Sequence, residues 1–174
     1  MALTHDFASE NKLQIVQNEG IGVLLNILKS SNSTVRLNLT VTGLLTNLAD
    51  EMPTVTIKIV DEGAIPLLVN FLGYYNGEYS YYATSALTHL AACGPVIQAQ
   101  IVKIGALAPL LRIMEKGSVM EIKYAAETIQ KLLKNEINKP VIKEKVNVIN
   151  DVYNKAGLII TTKDQLKRLL EALK

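Results

Sequence analysis

The chain has 174 residues, 49% of them apolar, with a mean hydropathy of +0.21 and a net charge of +2. That length suits one compact domain or a short solenoid with a continuous core, and the apolar share excludes a disordered chain. The lone cysteine, Cys93, excludes a disulfide framework and fits a reducing compartment, the cytoplasm and with it the nucleus.

The opening stretch, MALTHDFASENK, has neither a basic n-region nor an apolar h-region. No run reaches the roughly 18 uninterrupted apolar residues of a membrane span. The expectation is a soluble chain without an ordinary export signal. Residues 5 to 18 carry Phe7, Leu13, Ile15 and Val16 and stop at Asn18, Glu19 and Gly20, which predicts an amphipathic helix ended by a glycine at positive φ. A second helix follows from residue 22 to 29. The polar loop SSNST at 30 to 34 offers N-caps, and Ser33 or Thr34 opens a longer helix to about Asp50, which Pro53 ends.

The same three parts then recur. Helices are predicted over 54 to 62, 64 to 72 and about 78 to 92, with GYYNG at 73 to 77 as a turn and Pro66 in a first helical turn, where its missing N–H is harmless. A third set covers 95 to 104, 106 to 116 and 118 to 135. After residue 135 the pattern changes. NKP at 138 to 140 starts a helix whose stripe is Ile142, Val146, Ile149 and Tyr153, ended by Gly157. Thr162 and Gln165 form a capping-box pattern ahead of a last helix with Leu166, Leu169, Leu170 and Leu173 on one face. These two helices, within 138 to 174, read as a cap on an array at 1 to 137 whose units are about 5–53, 54–94 and 95–137. An initiating Met and a non-repeat tail point to a complete small protein.

Two landmarks share one period. Gly20, Gly63 and Gly105 precede the apolar runs EGIGVLLNIL, GAIPLLVNFL and GALAPLLRIM, and Asn47, His89 and Lys131 follow one another at intervals of 42. A period near 42 built from short helices marks HEAT or armadillo arrays. Three helices per unit, the first short, favour armadillo. GAIPLLVNFL followed by ATSALTHLA resembles the second and third helices of an armadillo repeat, over roughly residues 12 to 135. The resemblance implies an all-α, right-handed solenoid whose third helices line a concave groove for an extended peptide or helix. It implies a non-enzymatic interaction scaffold or adaptor with another protein as partner and no cofactor.

In that family a groove Asn hydrogen-bonds the bound peptide backbone, and here it matches Asn47 alone, with His89 and Lys131 in the equivalent places. Nuclear-import adaptors place a Trp one turn earlier, where this chain has Gly43, Ser85 and Glu127. Basic import signals are therefore not the expected ligand. Stepping back by three and four residues draws the rest of the face. It comprises Arg36, Thr40, Gly43 and Asn47; Glu78, Tyr82, Ser85 and His89; and Met120, Tyr124, Glu127 and Lys131. Leu37, Val41, Leu44, Leu48, Ala83, Ala86, Leu87 and Leu90 are the expected core alternates.

Five of seven Tyr lie in YYNGEYSYY at 74 to 82, which suits either a binding hot spot or a packed turn, with Tyr82 the best binding candidate. His89 and Cys93 are one helical turn apart, but a structural zinc site wants four ligands, so no metal is expected. The sequons at Asn32 and Asn38 are chance matches in a chain without an export signal. No phosphate loop or nucleophile elbow appears, and catalysis is not expected. Residues 139 to 174 hold 8 basic and 4 acidic side chains. That excess reads as a solvated helix face; the alternative is an anion-binding patch serving nucleic acid or an anionic membrane. Self-association through an end helix is a further alternative.

Overall fold

A computed structural model describes residues 3–49, 53–73, 77–154 and 160–173. All regular structure among them is helical. The first unit holds α1 (Leu3–Gln17), α2 (Gly20–Lys29) and α3 (Val35–Ala49); the second holds α4 (Pro53–Asp61), α5 (Ala64–Leu72) and α6 (Gly77–Ala92). The third holds α7 (Pro95–Lys103), α8 (Leu107–Lys116) and α9 (Val119–Leu132). A 3-10 turn (Glu136–Asn138) then leads into α10 (Lys139–Lys143), α11 (Val146–Asn154) and α12 (Ile160–Ala172). Asp50, Tyr74, Tyr75 and Gly157 lie outside the described residues.

Local chemistry sets most of these ends. The Thr34 hydroxyl accepts from the Leu37 N–H at 3.2 Å and caps α3. Pro53, expected only to stop α3, is the first residue of α4, where no intrahelical bond needs its N–H. Gly105, at φ 96, closes α7: its N–H bonds Val102 O at 2.9 Å while the Ala106 N–H reaches Ile101 O at 3.3 Å, a Schellman pair. Gly63, at φ 88, turns the chain from α4 into α5, its N–H bonding Val60 O at 2.9 Å.

The first unit departs from this rule. Its left-handed residue is Glu19, at φ 56, not Gly20. Gly20 serves another need, because a Cβ there would stand 2.6 Å from the Ile15 carbonyl oxygen. With the tight contact taken by glycine, the positive φ falls on an exposed Glu whose side chain makes no cap bond. An L-residue in this region costs about 1–2 kcal/mol, part of which glycine returns as chain entropy. Glu19→Gly is therefore expected to stabilise the fold by about 0.5–1 kcal/mol, read as a higher urea midpoint. A lower midpoint would mean that the Glu19 side chain holds the turn.

The units stack side by side. Third helices α3, α6, α9 and α12 pack in that order, second helices α2, α5, α8 and α11 form a parallel row, and α7 meets the 3-10 turn. The core runs through the stack without a break, from Ile21, Leu25 and Leu45 through Leu68, Leu87 and Leu90 to Leu110, Ile129, Ile149 and Leu169. Leu37 is an exception to the expected core, 41% exposed. Burial on α3 begins at Val41, so its first turn and a half projects past the covered row.

The tail continues the stack. Asn135 donates from Nδ2 to Pro95 O at 2.7 Å, and Asn138 donates to Gln98 O at 3.2 Å and Leu132 O at 3.0 Å, pinning the 3-10 turn to α7 and α9. The stripe expected on one helix is divided between two. Ile142 lies on α10, Val146, Ile149 and Tyr153 on α11, and a turn through Glu144 and Lys145 separates them. Ile142 and Ile149 are both fully buried, so the break keeps the stripe inward. Thr162 and Gln165 form no capping box, since α12 already begins at Ile160. Thr162 Oγ1 and Gln165 Oε1 are buried without a partner among the described residues. The capping box that does form is Ser118 with Glu121: the Ser118 N–H donates to Glu121 Oε2 at 2.8 Å and the Glu121 N–H to Ser118 Oγ at 3.4 Å.

Candidate functional site

The third helices build one face of the stack. Because α3 and α6 begin 42 residues apart, at Val35 and Gly77, their spacing-of-three-and-four rows come to lie opposite one another. Arg36, Thr40, Gly43 and Asn47 from α3 and Glu78, Tyr82, Ser85 and His89 from α6 all line one cavity of about 660 Å³. Leu39, Leu44, Thr46 and Tyr81 line it too. Leu44, expected in the core, is only half-buried for this reason. The absence of a side chain at Gly43 matters to the shape, since a Cβ there would touch the Tyr82 ring at 3.5 Å.

Buried hydroxyls join the third helices beneath this face. Thr46 Oγ1 donates to Thr42 O at 2.9 Å and approaches Tyr82 O at 3.3 Å; Thr88 and Thr128 share a hydrogen bond of 2.6 Å between α6 and α9. Ser80 Oγ donates to Glu121 across the same interface. Burial alone raises the Glu121 carboxyl, but the bonds from Ser80 and Ser118 outweigh it and hold the group below its ordinary value. Sequence patterning missed this ladder, because Thr and Ser in an amphipathic helix look like solvent-facing residues. Its one signal was Thr42, Thr46, Thr84 and Thr88 recurring at the repeat interval.

The tyrosines divide by role. Tyr79 is core: its ring stacks on Phe71 at 5.3 Å and its hydroxyl donates to Val35 O at 2.9 Å. Tyr82, 37% exposed, meets Tyr81 edge-on at 5.1 Å, and Tyr81 meets Tyr124 edge-on at 5.2 Å. Three rings thus form a ridge from α6 to α9. The Tyr124 hydrogen bond, with burial, holds the Tyr81 hydroxyl above its ordinary pKa.

Beyond the ridge the face opens again. Glu127 and Lys131 line a second cavity of about 770 Å³ between α9 and α12. Of the twelve expected positions, Met120 and Tyr124 line neither cavity; Met120 is 43% exposed and Tyr124 belongs to the ridge. The far wall comes from Gln165, Arg168 and Ala172 of α12, with Lys139 at the rim. The periodic reading stopped short of these residues. The step from α9 to α12, Val119 to Ile160, is 41 residues rather than 42, and the shorter tail hid the fourth row.

The Cys93 thiol donates to its own helix at His89 O, 3.8 Å away, and among the described residues no group of three or more His, Cys, Asp or Glu is placed to hold an ion. No single described helix is long and apolar enough to cross a membrane.

The fold is that of an armadillo-like repeat solenoid. No protein-family model matches the chain, and no curated protein matches it in sequence. Among solved structures, the armadillo-repeats-only protein of Plasmodium falciparum is similar at 15% identity and a TM-score of 0.83, covering 95% of this chain and 73% of that one. A designed armadillo repeat protein in complex with the peptide (KR)4 is similar at 19% identity and a TM-score of 0.67, covering 95% of this chain and 86% of its own. An engineered protein is similar at 22% identity and a TM-score of 0.84, and the chain spans 40% of its length.

Proposed function

We propose that the chain is a non-enzymatic protein-interaction scaffold whose concave groove binds an extended peptide or a helix of a partner protein. The observation that carries this reading is the 660 Å³ cavity between α3 and α6, where amide, hydroxyl, charged and aromatic side chains from two repeats converge. Such a lining suits a polar main chain anchored by a few side chains. The designed relative bound to (KR)4 supports peptide binding as a use of this architecture. The unpaired Cys93 suits action in the cytoplasm or nucleus.

Asn47 and Tyr82 test it. Peptides selected from a random library on the folded chain are expected to lose about 1–2 kcal/mol of binding to Asn47→Ala or Tyr82→Ala. Asn47 is exposed, so its replacement should leave the thermal midpoint nearly unchanged. Selected peptides that bind both variants as tightly as the parent would remove the groove from consideration.

A further inference from the structure

We infer that the cavity between α9 and α12 is an oxyanion-binding compartment for an acidic peptide segment, one bearing carboxylate or phosphate side chains. The inference rests on the groove reading and assigns its C-terminal half a ligand chemistry. The two cavities differ sharply in charge. The α3–α6 cavity holds one cation, Arg36, against one carboxylate, Glu78. The α9–α12 cavity holds five cations, Lys123, Lys131, Lys134, Lys139 and Arg168, against the single carboxylate Glu127.

Among the described residues little neutralises them, although Lys123 rests over the Tyr124 ring, 5.6 Å from its centroid. Lys131 pairs with Glu127 at 3.7 Å and Lys139 with Glu136 at 2.6 Å; among the described residues Lys123, Lys134 and Arg168 have no ion pair. Like charges gathered in one concavity repel each other and focus a positive potential into it, which a ligand of opposite sign relieves. The cations come from α9 (Lys123 and Lys131), the turn after it (Lys134), α10 (Lys139) and α12 (Arg168), so folding assembles the patch from separate stretches of the chain. Arg168 adds a planar fork suited to two oxygens of one carboxylate or phosphate.

Shape and surroundings favour a peptide over other polyanions. A flat bilayer surface does not enter a concavity between two helices. Nucleic acid needs a longer basic track, and the concave face carries Glu78 and Glu127, which oppose a continuous phosphate backbone. An extended chain fits, because the cavity lies on the same row of third helices as the α3–α6 cavity, beyond the tyrosine ridge, and offers separated cations for alternate side chains.

Fluorescence anisotropy tests the assignment with two labelled peptides of about eight residues, one of Asp and Glu and one carrying phosphoserine, and with (KR)4 as the like-charge control. Saturable binding of an acidic peptide is expected, with the two peptides telling carboxylate from phosphate preference. Lys134→Gln with Arg168→Gln should weaken it by about tenfold, while Lys163→Gln with Lys167→Gln, on the other faces of α12, should change it by less than about twofold. Circular dichroism and the thermal midpoint should be the same for all three proteins.

Equal losses in both double variants would show that only net charge matters and overturn the site. Tighter retention of a single-stranded octanucleotide or of phosphatidylserine vesicles would overturn the partner class. If library-selected neutral peptides bind and neither acidic peptide does, this inference fails alone. If no peptide of any charge binds, the groove reading fails with it.

Discussion

Leu90→Ala is expected to lower the unfolding free energy by about 2–5 kcal/mol, the range for emptying an enclosed leucine site. Leu90 is fully buried on α6, the helix that touches α3, α5, α7 and α9. Neighbouring backbones are fixed by their own repeats, so the site has little freedom to collapse around the void. In a stacked array each unit depends on its neighbours, and a defect in α6 weakens interfaces on both sides. For a chain of this size the thermal midpoint should fall by about 2–4 °C per kcal/mol. Val96→Ala is the matched control: Val96 is 79% exposed, and its midpoint should hardly move. A Leu90→Ala midpoint equal to the parent's would mean that the faces of α6 are assigned wrongly.

Glu121→Ala should cost about 2–4 kcal/mol at neutral pH, because it removes two charge-assisted hydrogen bonds together. One fastens the first turn of α9 through the Ser118 N–H, and the other ties α9 to α6 through Ser80. The charge itself has a pH signature. The carboxyl titrates below its ordinary value near 4.5 in the folded chain, so its contribution is complete above that value. It fades as the pH falls through the lower, folded value. Glu121→Gln keeps the shape and loses the charge. Urea midpoints measured from pH 7 down to pH 3 should show the gap between parent and Glu121→Gln closing on the acid side. A gap constant across that range would mean that Glu121 acts by shape alone.

The repeat architecture was legible because two kinds of landmark recur together. Gly63 and Gly105 mark left-handed turns, and the Leu rows of α5, α6 and α8 hold helical spacing over whole elements. Eight groove positions of the first two units could be placed on one face for the same reason: an interval of 42 preserves the rotational phase of α3 and α6. Legibility failed where the physics left no mark on residue type. Nothing in Asn18-Glu19-Gly20 says that packing against Ile15 claims the glycine and leaves the positive φ to Glu19. Leu37 was assigned inward by periodicity alone, which does not know where a neighbouring helix stops covering it. Thr162 and Gln165 matched a cap pattern two residues after their helix had begun. The basic excess over 139 to 174 reads as a solvated face because Arg168 shares its cavity with Lys131, Lys134 and Lys139, which only the fold brings to it.

If the third-helix face binds a peptide as proposed, the tyrosine ridge makes it a ruler. Tyr82, Tyr81 and Tyr124 stand between the two cavities, which are separated by two helix-to-helix steps. Packed helices lie about 8–10 Å apart, so the two compartments are offset by roughly 16–20 Å. An extended chain advances about 3.3 Å per residue and covers that distance in about five or six residues. A segment with its anchoring side chains closer together reaches one compartment only, whereas one with the matching gap engages both at once and gains from the high local concentration of its second half. On the groove reading proposed above, partner choice depends on the distance between two anchors as much as on what each anchor is.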